Sequence, residues 1–385
     1  MVPNGWVKTT FGKITKIGNG QVDPKVEPYS SMTHIGPENV VSNTGQITNL
    51  KSCSALGLIS GKYEFDENSI VYSKIRPNLN KVCRPDFKGV CSADMYPIWS
   101  EDNLDINYLY HYMLGPYFNR IAIAMSMRTG MPKINRSDLN SLSIVLPPLP
   151  EQRKIAQILS TWDRGIATTE KLIDASKQQK KALMQQLLTG KKRLVDPETG
   201  KAFEGEWKFS QFNELYKVAN NKATQVKSGE YLESGRTPIV DQGKSIVGGY
   251  TNNEITYKDL PVIVFGDHTR IVKWVDFEFA QGADGTQVLK SHKSMDDKFA
   301  YYVLLNTDIP NLGYSRHMRE LKERDFKYPI SKVEQQKIAS VLTAADKEIE
   351  LLEAKLSHFK QEKKALMQQL LTGKRRVKVP ETEAA

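Results

Sequence analysis

"KKALMQQLLTGK" occupies residues 180–191 and stands again, letter for letter, at residues 363–374. Helix propensity asks for no such identity, because many sequences make an equally good amphipathic helix. Reading outward from it shows the scale of the repeat. "EQRKIAQILSTWDRGIATTEKLIDASKQQKKALMQQLLTGKKR" from Glu151 aligns without a gap on "EQQKIASVLTAADKEIELLEAKLSHFKQEKKALMQQLLTGKRR" from Glu334, with roughly 24 of about 43 positions identical. Outside these segments the halves share only weak echoes, such as "GWVKTTFGKITKI" against "EWKFSQFNELYKV". The chain therefore runs variable, repeat, variable, repeat.

Each repeat reads as one long helix with a coiled-coil seam. A four-three spacing picks out Ile155, Leu159, Trp162, Ile166, Thr169, Ile173, Ser176, Lys180, Leu183 and Leu187 in the first copy. In the second it picks out Ile338, Leu342, Ala345, Ile349, Leu352, Leu356, Phe359, Lys363, Leu366 and Leu370. One lysine sits at the equivalent seam place in both. "PPLPEQ" puts proline and glutamate where a helix begins, "SKVE" at residues 331–334 reads as a capping box, and each "TGK" supplies a glycine for a left-handed stop. A helix of about 40 residues is about 60 Å long. Neither can bury such a seam alone, so the two should pack on each other, antiparallel.

Composition bounds the rest. The 385 residues suffice for two or three domains, and 39% hydrophobic with 25% charged residues describes an ordinary folded chain. A net charge of +10 allows a polyanionic partner without requiring one. Much of the excess lies in the first repeat with its KKR tail, at roughly +6, so any nucleic-acid surface on the second variable segment is a local patch. Three cysteines, Cys53, Cys83 and Cys91, match no metal-ligand spacing and make a poor disulfide framework. With no signal-like start and no long apolar run, the expectation is a cytoplasmic protein without membrane contact.

The variable segments show short apolar runs such as "SIVYSKI", "MYPIW", "TPIVD" and "PVIVF" between turn residues, with a helical stretch near each end. The expected fold is α+β, mixed α/β, with two globular domains separated by two long antiparallel helices in a pseudo-two-fold arrangement. The segments are 1–146, 147–193 (first long helix), 194–330, 331–377 (second long helix) and a tail at 378–385.

Catalytic patterns are lacking. No glycine-rich cofactor turn or Asn-Pro-Pro-aromatic loop occurs, and the "GKS" at residues 243–245 has Pro238 where a Walker loop needs glycine. The histidines form no zinc pair, and no serine or cysteine nucleophile has company. "PDFK" at residues 85–88 and "RDFK" at 324–327 hold a fragment of a metal-dependent nuclease pattern, more simply read as solvated turns.

Binding is better supported. "SKIRPNLNKVCR" carries Lys74, Arg76, Asn78 and Lys81, and "SMRTGMPKINR" carries Arg128, Lys133, Asn135 and Arg136. In the second variable segment, "DHTRIVKW" offers His268, Arg270 and Lys273, and "GYSRHMRELK" offers Arg316, His317 and Arg319. Lys and Arg suit phosphates, while Arg on guanine and Asn on adenine discriminate bases. Any one of these residues reads equally well as part of a charged, solvated loop.

The identical dozen points to partners. Between Ala167 and Ser176 the repeats have drifted, yet the last turns are fixed. Leu183, Met184, Leu187 and Leu188, mirrored by Leu366, Met367, Leu370 and Leu371, form a stripe wider than a two-helix seam, expected to dock two copies of one partner.

This organisation resembles the specificity (S) subunit of type I restriction–modification systems along the whole chain. The resemblance rests on the two near-copies of a helix opening "PPLPEQRKIAQIL" or "EQQKIASVL" and closing "ALMQQLLTGK", with "GMPKINRSDLNSLSIVLPPLPEQ" leading into the first. It implies two target-recognition domains, each reading half of a split asymmetric site on double-stranded DNA. It also implies helices that set the spacing and dock two modification (methyltransferase) subunits, with restriction subunits completing the complex. S-adenosylmethionine, ATP and Mg²⁺ would belong to those partners; no cofactor, metal or catalytic residue is expected on this chain. The competing classes are a scaffold that joins two identical partners without reading DNA, and a nuclease using "PDFK" or "RDFK".

Overall fold

The computed structural model describes residues 2–126, 132–313 and 315–379. It comprises two compact units, Met1–Glu170 with Lys355–Ala385, and Lys171–Ala354. Each unit holds one globular domain and part of each long helix, Leu149–Leu187 and Lys332–Leu370.

In the first unit, Val7–Thr10 pairs antiparallel with Ser143–Leu146. A four-stranded sheet runs Thr15–Ile17, Met95–Ser100, Ile70–Ser73, Val82–Cys83. A second runs Lys51–Ser52, Thr33–Ile35, Gly89–Cys91, Tyr63–Phe65, with Thr33–Ile35 parallel to Gly89–Cys91. Helices Ile106–Leu114, Pro116–Ser126 and Arg136–Ser141 complete the domain. The three cysteines are free and buried, and burial pushes the Cys83 thiol up to about 12.

The second unit repeats this plan in other residues. Trp207–Gln211 pairs with Asp325–Pro329. The four-stranded sheet is Tyr216–Val218, Thr286–Ser291, Val262–Gly266, Val272–Val275. A three-stranded sheet is Gly249–Thr251, Thr237–Val240, Ala280–Gln281, again with one parallel pair. The weak sequence echo is in register with the structure: Phe11 and Phe212 are both buried, each opening a one-turn helix between two strands.

The seam holds: every position named by the four-three spacing is buried or half-buried. Within the first unit the helices run antiparallel, with Glu151 bonded to Arg376, Asp163 to Lys363 and Glu170 to Lys360, and Trp162 edge-on to Phe359 at 5.4 Å. The second unit does the same, with Glu334 to Arg193, Asp346 to Lys180 and Glu353 to Lys177. The seam lysines are thus held by aspartates that are themselves common to both repeats. The expected capping box is half present: Ser331 accepts from the Glu334 amide at 3.3 Å, but the Glu334 carboxylate goes to Arg193 instead of the cap backbone.

The identical dozen has an internal explanation, which corrects the docking stripe. Met184, Leu187 and Leu188 are buried in the second unit's core with Phe212, Phe299, Ile338 and Leu342. Met367, Leu370 and Leu371 are buried in the first unit's core with Phe11, Tyr108, Ile155 and Leu159. Leu183 and Leu366 are half-buried against the same cores. Apolar side chains beside a helical seam look exposed in sequence, but here a domain covers them. The closing glycines are fixed the same way. Gly190 and Gly373 have φ of 72° and 69°, and a Cβ there would meet Trp207 at 3.1 Å or Pro3 at 2.4 Å.

Candidate nucleic-acid interface

In the first unit the strand Ile70–Ser73 runs into the basic loop 74–81. That loop is joined to the second basic stretch, which sequence placed far away. Ile75 bridges Lys133, the Arg76 amide donates to the Pro132 carbonyl at 2.8 Å, and the Ile134 amide donates to Lys74 at 2.9 Å. Arg76 and Asn80 adopt left-handed backbone on either side of Pro77–Leu79, so the loop turns sharply. The result leaves Arg76, Asn78, Lys133 and Asn135 exposed together.

Their neighbours are occupied. Lys74 is buried with its ammonium 4.9 Å from the centre of the Tyr96 ring, and the Arg136 guanidinium lies 5.4 Å from the same centre. Arg136 also donates to the Ile17 carbonyl at 3.0 Å and to Gly18 at 2.7 Å. Burial, and then the neighbouring Lys133 charge, pull Lys74 below the ordinary lysine range. Lys81 donates to the Pro37 carbonyl. Arg128 lies outside the described residues.

The second unit builds the same constellation. Val262–Gly266 runs into loop 267–271, and the His317 amide donates to the Asp267 carbonyl at 2.8 Å, as Ile134 does to Lys74. Arg270, like Arg76, has left-handed backbone (φ 61°); its guanidinium donates to the Ile309 carbonyl at 2.7 Å. His268 is half-buried, with Nδ1 3.2 Å from the Ser315 carbonyl. Arg316 and Arg319 are exposed, and Arg319 pairs with Glu323 at 3.1 Å. They line an open groove of about 460 Å³ with Asp267, Gln287, Met318 and Lys322.

Two expected contacts in this unit are structural instead. His317 is fully buried; its Nδ1 meets the Asp267 carbonyl at 2.8 Å and its Nε2 accepts from the Leu312 amide at 3.3 Å, so both ring nitrogens are spent. Lys273 is 5% exposed and donates to the Asp241 carbonyl at 2.7 Å and to that of Ser245. Burial lowers its pKa against the opposing pull of Asp241. Among the described residues no group of three His, Cys, Asp or Glu could hold a metal ion, and no helix is long and apolar enough to cross a membrane. The nuclease fragments are plain surface: Lys88 pairs with Glu64 at 3.6 Å, and Asp325 and Lys327 lie exposed on an edge-paired strand.

Each unit thus presents paired basic loops on the same scaffold, and a comparison with known families gives that scaffold a place. The model of the type I restriction modification DNA specificity domain matches residues 3–177 and 204–361. The chain belongs to that family. It is 34% identical over 205 residues to the type I restriction enzyme EcoDI specificity subunit of Escherichia coli, a match spanning 53% of this chain and 43% of that relative. It is 27% identical over 348 residues, 84% of this chain and 75% of the relative, to the putative type I restriction enzyme MjaX specificity subunit of Methanocaldococcus jannaschii. In fold it is similar to the crystal structure of the type I restriction–modification S subunit from M. genitalium, with a TM-score of 0.62 at 17% identity, covering 96% of this chain and 99% of that one. Membership in the specificity family makes this chain a non-catalytic, DNA-recognising component that works with other restriction–modification subunits.

Proposed function

We propose that each domain reads one half of a bipartite, asymmetric site on double-stranded DNA. Carrying this reading is the recurrence of one arrangement, a loop after the central strand tied to the segment entering the last helix–strand pair, in two domains whose residues differ. Arg76, Asn78, Lys133 and Asn135 serve the first half-site; Arg316 and Arg319, with His268 and Arg270 behind them, serve the second. Unlike side chains imply unlike half-sites. The long helices set the distance between the half-sites.

Two modification subunits are assigned to the outward face of the repeated helix ends. Supporting this is identity without an internal cause: Lys181, Ala182, Gln185 and Gln186, and equally Lys364, Ala365, Gln368 and Gln369, are exposed yet the same in both copies. Their spacing puts each set on one helical face. S-adenosylmethionine, ATP and Mg²⁺ are assigned to the partner subunits, and the complex to the cytoplasm.

Methylome sequencing of cells carrying this chain with its cognate methyltransferase tests the reading. A split adenine-methylated motif is expected, changing in one half only when residues 194–330 are exchanged for another variable segment. A complex that assembles but marks no motif would favour the scaffold, and cleavage by the isolated chain with Mg²⁺ would favour the nuclease.

A further inference from the structure

Lys273 and Lys81 share a geometry that their surroundings make informative. In the second unit the strand Thr237–Val240 gives way to residues 241–248 before Gly249–Thr251 begins. That loop lies on the basic loop: Thr269 Oγ1 donates to the Gln242 carbonyl at 2.6 Å, and the His268 amide donates to Gln242 Oε1 at 3.2 Å. In the first unit the strand Thr33–Ile35 gives way to residues 36–50, and this loop also lies on the basic loop. The Asn43 amide donates to the Asn80 carbonyl at 3.2 Å, and Asn80 Nδ2 donates to Asn43 Oδ1 at 3.2 Å.

The lysine leaving each basic loop ties the pair together. Lys273 Nζ donates to the carbonyls of Asp241 and Ser245 and forms an ion pair with Asp241 Oδ1 at 3.6 Å. Lys81 Nζ donates to the Pro37 carbonyl, at the matching start of its loop. A methionine would fill the Lys273 site at lower desolvation cost. What the ammonium adds is a fixed point for two carbonyls four residues apart, which a thioether cannot provide. The domains share little sequence, so the recurrence answers a demand of the architecture.

We propose that Lys273 and Lys81 are positioning residues, and that the loops they hold, 241–248 and 36–50, are specificity-determining elements reading DNA beside the basic loops. In loop 241–248 Lys244 and Ser245 are the exposed polar side chains so presented, next to half-buried Gln242, which also donates to the Asp284 carbonyl at 3.2 Å. This assignment rests on the two-domain DNA-reading function above.

The test uses the full chain assembled with its modification subunits and carrying Lys273→Met. Amide exchange in residues 241–248 should quicken, notably at Gly243. The half of the methylated motif read by the second domain should relax while the other half stays unchanged. The slope of log affinity against log salt should stay that of the wild type, since no phosphate contact is lost; a direct phosphate contact would instead lower it by about 1. A lowered slope with unchanged loop exchange, or an unchanged motif, overturns the proposal. If Lys273→Met fails to fold, the surface pair Lys244→Ala and Ser245→Ala should relax the same half-site, and an unchanged motif there overturns the loop's role. Arg316→Ala separates the two levels of argument. If it changes neither slope nor motif, the DNA-reading assignment of the domain fails, and loop exchange in Lys273→Met still reports on the staple.

Discussion

Arg376 grips Glu151 through two parallel hydrogen bonds, Nε to Oε1 and Nη2 to Oε2, each 2.7 Å long. The carboxylate is 4% exposed and accepts a third bond from the Trp6 indole at 3.2 Å. Arg193 and Glu334 repeat the pair in the second unit, but there the Trp207 indole nitrogen is buried without a partner. Arg376→Ala leaves a buried carboxylate with one neutral donor, and Arg376 is itself half-exposed, so a loss of about 2–3 kcal/mol is expected. Arg193→Ala should cost more, because Arg193 is less exposed and Glu334 has no indole to fall back on. Urea denaturation of the purified variants measures both; wild-type midpoints would refute the pairing.

His111 should make the first unit acid-sensitive. Its ring is buried, with Nε2 3.2 Å from Ser160 Oγ and Nδ1 3.8 Å from Asp163 Oδ2. Asp163 is already engaged by Lys363, and burial together with that ammonium pushes His111 down to about 3. A histidine depressed from 6.5 in the folded state binds its proton more readily when unfolded. Stability is therefore present above pH 6.5 and lost as pH falls below it, on the order of 2 kcal/mol between pH 7.5 and 5. His111→Gln should flatten that loss. Parallel stability–pH curves for variant and wild type would rule it out.

Exposed cations of the first unit should carry phosphate contacts. Arg76→Ala and Lys133→Ala are each expected to lower the salt slope of DNA binding by about 1 while leaving thermal stability unchanged. Binding titrations at several salt concentrations decide this, and an unaltered slope in both would remove these residues from the interface.

Partner docking is tested on the exposed face. Ala182→Glu combined with Ala365→Glu alters solvent-facing helical positions and should leave the fold intact. Co-purification with the modification subunits should drop at least tenfold. Leu187→Asp would be uninformative, because a charge placed in that closed core unfolds the unit that holds it.

Periodicity made the helices legible: a 3.5-residue repeat of apolar side chains has few other solutions, and the seam is where it was read. The Glu151–Arg376 and Glu334–Arg193 pairs went unread, although Glu and the final Arg are common to both repeats and so carried a signal. The strand order shared by the two domains could not be read, because it resides in pairing and not in residue identity. Only the Trp6–Phe11 and Trp207–Phe212 echo betrays it. Lys273 and His317 were taken for DNA contacts because a buried donor bound to carbonyls and a solvent-facing cation look alike in a loop sequence. Burial alone separates them.

The first unit's core is closed by Met367, Leu370 and Leu371, whereas the second unit is one unbroken stretch of chain, Lys171–Ala354. During synthesis the floor of the domain made first is therefore expected to stay open until the final turns of the second long helix leave the ribosome. The domain made second can already have folded by then. Folding order should then invert translation order: a chain ended at residue 354 is expected to hold one finished domain and one left unsealed, and a first domain that resists limited proteolysis in that truncation would refute it.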